Sequence, residues 1–124
     1  MKKFAKTWLF MTVAVLMVLV SSCKNDDPST LKIFVRSANN ELQSGAKVVV
    51  IGDVNSNPPT NAYVDTLVTN ESGFVAFNMQ EFFDSSDETT GYFDLVIKKD
   101  DKTAFGYVRC REHITTVETI FLPN

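Results

Sequence analysis

Few residues of this chain have reactive or ligating chemistry to offer: Cys23, Cys110, His113 and two clusters of carboxylates. Nucleophilic catalysis by cysteine or serine needs a histidine within hydrogen-bond reach of the nucleophile. His113 is the sole histidine and stands three residues beyond Cys110. In a strand that odd spacing sends the two side chains to opposite faces. No catalytic residue is assigned, and the chain reads as no enzyme. Calcium is the next possibility, because hard cations collect carboxylate and carbonyl oxygens. "DVNSN" opens like a D-x-N-x-N loop with Asp53, Asn55 and Asn57. The match fails where such a loop needs glycine and then a bidentate glutamate, since those positions hold Pro58 and Val64. A second acidic run, Glu81, Asp84, Asp87 and Glu88, supplies weak metal candidates. A solvated loop is the plain alternative, because charge runs mostly are that. No cofactor is implied.

Cys23 is the position where chemistry is expected. It ends a leader with a basic start, Lys2, Lys3 and Lys6, followed by an uncharged run from Thr7 to Val20. As a helix that run is about 21 Å long, short of the ~30 Å hydrocarbon core. A secretory signal peptide fits it better than a membrane span, with a tilted membrane anchor as the alternative. Val20-Ser21-Ser22-Cys23 resembles the lipobox of bacterial lipoproteins: an aliphatic residue, two small ones, then cysteine. The resemblance implies that Cys23 takes a diacylglycerol on its sulfur, that a signal peptidase cuts before it, and that the new amino group is acylated in turn. Two or more acyl chains anchor a protein stably, at ~0.8 kcal/mol per buried methylene. The resemblance implies the outer membrane as the location, with the membrane itself as a partner through the lipid on Cys23. Lys24-Asn25-Asp26-Asp27 resembles a tag that sends some lipoproteins to the outer face of that membrane; a plain solvated tether reads equally well. The chain divides into a signal peptide (1–22), a lipidated tether (23–30) and a folded domain (31–124).

From residue 23 onward the formal charge is −6, since three of the twelve basic residues lie in the leader and all fifteen acids lie beyond it. An acidic surface without basic clusters argues against nucleic acid. Cys110, left without a partner once Cys23 is lipidated, reads as a small buried apolar residue. A reactive or dimer-forming thiol is the sharper alternative, because Arg109 and Arg111 would favour thiolate at an exposed site.

Period-two alternation recurs through the exported part, and no convincing helical period lasts a dozen residues. "LKIFVR" sets Leu31, Ile33 and Val35 on one face; "AKVVVIG" does the same with Ala46, Val48 and Val50. "AYVDTLVT", the turn "NESG" and "FVAFN" read as a hairpin. "MQEFFDSSDETTG" begins with one helical turn and has an exposed acidic middle. "YFDLVIKK" points Phe93, Leu95 and Ile97 inward and turns at "DDK" into "TAFGYVRCR" and "TTVETIFL", with Val108, Cys110, Ile120 and Leu122 inward. The sum is an all-β domain: a seven-stranded antiparallel sandwich, Ig-like or transthyretin-like.

Three motifs carry a second resemblance. Gly45, Ala46 and Val48 match a "G-A-x-V" strand start; Thr69, Asn70, Gly73 and Phe77 match "T-[DN]-x-x-G-x-x-x-F"; Gly91, Phe93, Leu95 and Ile97 match "G-x-[YF]-x-[LV]-x-[VI]". Residues 31 to 122 resemble the carboxypeptidase regulatory-like, transthyretin-like sandwich of bacterial surface proteins. These motifs are structural and imply a fold, not a ligand. The related urate-pathway hydrolases need several histidines, so none of their chemistry is implied.

The expected function is a non-enzymatic accessory, adhesion or assembly module acting by protein or glycan contact at the cell surface. Phe34, Tyr63, Phe74, Tyr92, Phe105 and Tyr107 are possible platforms, whereas Phe82 and Phe83 suit a cap over one end of the sandwich. The alternative is a small-ligand or Ca²⁺-binding surface lipoprotein using the acidic 81–88 loop. Asp65-Thr66-Leu67 matches a short acceptor pattern for O-glycosylation at Thr66, and Asn70-Glu71-Ser72 has the form of a sequon that reads here as a turn.

Overall fold

A computed structural model describes residues 26–124. Alternating burial builds each strand. Strand β1 (Thr30–Arg36) buries Leu31, Ile33 and Val35 completely and leaves the residues between them half-exposed. The same period-two pattern organises β2 (Lys47–Gly52), β4 (Phe74–Asn78), β5 (Thr90–Lys99) and β6 (Lys102–Arg111). Strand β3 (Val64–Val68) has no buried residue, and β7 (Thr115–Phe121) buries Ile120. One helix, α1 (Gln80–Ser86), interrupts the strands.

The strands form two sheets in the orders β4-β1-β7 and β3-β2-β5-β6. Their inner faces enclose one core, as in a β-sandwich. Register aligns the inward residues of neighbouring strands: Leu31 opposes Phe77, Val48 opposes Ile97, and Phe93 opposes Val108. Each such side chain contributes about 1.5–3 kcal/mol on leaving water. The expected inward residues of β5, β6 and β7 and the following Leu122 are all buried.

Two features depart from expectation. Strands β1 and β7 pair in parallel, Thr30 with Thr115 through Arg36 with Phe121, whereas the other four pairings are antiparallel. Parallel neighbours need a long crossover, and here the rest of the domain supplies it. The expected β3–β4 hairpin does not form. The turn itself closes: Asn70 N–H donates to the Phe74 carbonyl (3.0 Å), and Gly73 adopts φ +75°. Strand β3 then pairs with β2, and β4 pairs with β1 in the other sheet. Val75 and Phe77 bury themselves against the β1 side of the core, so the turn passes the chain from one sheet to the other.

At one end of the sandwich α1 folds Phe82 and Phe83 inward as a cap. Phe82 meets Tyr63, Phe83 and Phe93 edge-on at ring separations of 5.2–5.5 Å. The chain enters β1 at this same end. Ser29 is fully buried; its hydroxyl donates to Gln80 Oε1 (2.8 Å) and accepts from the His113 N–H (2.7 Å). At the other end Asp100 and Asp101 make the two-residue loop between β5 and β6, with Asp100 at φ +55°.

Candidate interaction face

The outer face of the β3-β2-β5-β6 sheet is built by the residues that alternate with the core. Register sets Thr66, Val49, Val96 and Phe105 in one row across the four strands, and Val64, Ile51, Asp94 and Tyr107 in the next. Lys47 and Lys98 flank these rows on one side; Tyr92 and Arg109 flank them on the other. An outer sheet face is ordinarily polar. This one has a largely apolar centre inside a charged margin: Phe105 is 75 % exposed, Val64 68 % and Tyr107 51 %. The signal was present in "TAFGYVRCR", where small residues alternate with aromatic ones. Ala104 and Val108 fit the crowded interior, which leaves Phe105 and Tyr107 outside.

The loop after β2 braces this face. Asp53 N–H donates to the Tyr92 carbonyl (2.9 Å), and Tyr92 N–H donates to the buried Thr60 hydroxyl (2.9 Å). Each oxygen of the Asp53 carboxylate accepts one hydrogen bond, Oδ1 from the Asn55 N–H (3.0 Å) and Oδ2 from the Tyr107 hydroxyl (2.8 Å). That hydrogen bond to an anion, with smaller contributions from desolvation and the nearby charges of Asp53 and Asp94, pushes Tyr107 up to about 12. Tyr92 and Tyr107 stack at 6.2 Å with planes 21° apart. Beside them a cleft of about 400 Å³ opens between Pro58, Tyr92, Arg109 and the Asp87–Thr90 segment. One buried oxygen there, Glu88 Oε2, has no hydrogen-bond partner among the described residues.

The candidate site residues are scattered. Cys23 lies outside the described residues, as do Lys24 and Asn25. Thr66 is exposed on the edge strand β3, at the end of its row, where a sugar would border Val49. Glu81 and Asp84 lie on α1, Asp87 caps its end at φ +55°, and Glu88 follows. Among the described residues no three His, Cys, Asp or Glu side chains come together to hold a metal. Asp84 instead accepts from Gln80 Nε2 (2.9 Å). Cys110 is buried, and desolvation pushes its thiol up to about 12, partly opposed by a hydrogen bond with Thr116. His113 sits in a left-handed turn (φ +62°), its ring bonded to the Asp27 carbonyl (2.7 Å) and 3.5 Å from Glu112. It serves the place where the chain enters the domain.

No family model matches the chain, and no curated protein does. Solved structures resemble it in fold. The TIE protein of Bacillus anthracis matches 79 % of this chain at TM-score 0.53 and 13 % identity, across 17 % of its own length. The 3-chlorocatechol 1,2-dioxygenase of Rhodococcus opacus 1CP matches 82 % at 0.53 and 9 %, across 63 % of its length. S.CueP matches 77 % at 0.51 and 13 %, across 62 % of its length. The chain thus spans less than two thirds of each neighbour. At these identities the likeness shows the β-sandwich alone, a fold that hosts unrelated functions.

Proposed function

We propose that this chain is a lipid-anchored, non-enzymatic sandwich of the bacterial outer membrane, tethered through Cys23, that holds a protein or glycan partner against the outer face of its four-stranded sheet. The observation that carries the reading is that face. Valines, an isoleucine and three aromatic rings occupy positions where a solitary sheet would carry polar residues. Contiguous apolar surface of this kind marks interaction sites, and Phe105, Tyr107 and Tyr92 supply the rigid rings that dominate such contacts. The anchoring half of the reading rests on the lipobox-like Val20–Cys23 and the short apolar leader. The carboxypeptidase regulatory-like resemblance of residues 31–122 bears on the fold and names no partner.

Cross-linking on intact cells tests the contact. Val64→Asp combined with Ile51→Thr makes the face polar far from β6; it should abolish the adduct that the native chain forms. Unchanged adducts in a folded variant would sink the reading. Cys23→Ala tests the anchor: the precursor should accumulate unprocessed and take up no palmitate label.

A further inference from the structure

Strand β6 ends its sheet, and its free edge is the longest unpaired strand edge of that sheet at ten residues. Lys99 and Lys102 close the two-residue loop, so they form a hydrogen-bonded pair and the ladder alternates from there. Thr103, Phe105, Tyr107 and Arg109 therefore turn their backbone N–H and C=O groups away from β5. Among the described residues, no backbone hydrogen bond outside the sheet uses residues 103–109. Such an edge is a template for another strand.

The sequence of the edge says which strand fits. Reading outward from Gly106, Phe105 balances Tyr107, Ala104 balances Val108, and Asp101 balances Arg111. Asp101 and Arg111 are exposed, and neither forms an ion pair among the described residues. We propose that a second copy of this chain adds its β6 antiparallel to this one, about a two-fold axis at Gly106, making one eight-stranded sheet. Phe105 of each copy then lies beside Tyr107 of the other on the outer face, and Ala104 beside Val108 on the inner face. Asp101 of each copy opposes Arg111 of the other, so the one self-pairing that matches the rings also matches the charges. A strand added in parallel would set Asp101 against its own equivalent. The apolar outer faces of the two copies become continuous. The two-fold stands perpendicular to the sheet, so the two Thr30 ends point opposite ways along the strands. On the anchoring reading above, the pair then lies flat, with the β4-β1-β7 layers toward the membrane and the joined outer face away from it.

The test uses the full chain, carried with two different tags in the same cells and extracted in mild detergent. Native tags should co-purify, and light scattering should give twice the chain mass. Asp101→Arg and Arg111→Asp each place two like-charged pairs across the axis, and each alone should weaken self-association roughly ten-fold. The two single variants expressed together should pair with each other, and the double variant should recover native self-association. Thr103→Pro keeps the β5 ladder, because that N–H faces the free edge, and should give a folded monomer. A monomeric native chain, or equal self-association of all the charge variants, would overturn the pairing. Co-purifying tags with partner adducts insensitive to Val64→Asp/Ile51→Thr would sink only the earlier reading.

Discussion

Thr69 should matter to stability through its hydroxyl and not through its methyl. It is 4 % exposed at the end of β3. Its Oγ1 accepts from the Ala46 N–H (2.8 Å) and donates to the Gln43 carbonyl (2.6 Å). Its own backbone donates to the Ala46 carbonyl (2.8 Å) and accepts from Gly45 N–H (3.1 Å). The side chain thus completes a clasp that fixes the start of β2. Thr69→Val keeps the shape and removes the hydroxyl. Ala46 is fully buried, so its N–H is orphaned at a cost of about 1–3 kcal/mol, and the lost bond to Gln43 adds about 0.5–1.5 kcal/mol. The total is roughly 2–4 kcal/mol. Thr69→Ser keeps both hydrogen bonds and loses one buried methyl, about 1 kcal/mol. For a domain of this size about 1 kcal/mol moves Tm by about 4–8 °C, so the valine variant should melt on the order of 10–25 °C lower. Urea unfolding of the chain without residues 1–23 reads the difference directly, as a lower midpoint at constant slope. A valine variant as stable as the serine variant, or more so, would refute the argument, because apolar transfer alone favours valine.

Three further outcomes follow from named contacts. Cys110, held near 12 by burial against an ordinary 9.0, should resist thiol reagents in the folded protein and react on unfolding. Its folded value is raised, so its contribution is intact below pH 9 and lost between about 9 and 12, where only the unfolded chain has released the proton. Cys110→Ala should make that alkaline decline shallower, by up to about 1.4 kcal/mol per pH unit. Gly106→Ala would place its Cβ 2.6 Å from Ile120 Cδ1; overpacking of about 1–3 kcal/mol should appear in thermal melts and be relieved by Ile120→Val. Asp53→Asn removes the anion that accepts the Tyr107 hydroxyl, so the Tyr107 titration should fall from about 12 toward 10 in a spectroscopic pH series.

Much of the fold was legible because burial in a two-layer sandwich writes itself into alternate positions. Leu31-Ile33-Val35 and Phe93-Leu95-Ile97 are inward in the sequence and in the structure for that reason. Phe82 and Phe83 read correctly as a cap, because two adjacent large rings in an acidic loop have nowhere else to leave water. The pairing of β3 was not legible. Alternation tells which face of a strand is buried and is silent about which neighbour it takes, and a turn such as Asn70–Gly73 serves equally between paired strands and between sheets.

The sequence by itself determined the layered all-β architecture and the net acidic charge, both local in residue type and spacing. The tertiary structure alone decided which outward residues share a surface. Val64, Ile51, Asp94 and Tyr107 are separated along the chain and become neighbours only through the order β3-β2-β5-β6. It also decided that the carboxylates of 81–88 do not assemble, because one helix and its left-handed cap spread them apart. Contacts between distant segments are set by the sum of many weak packing choices, and no short stretch of residues encodes that sum.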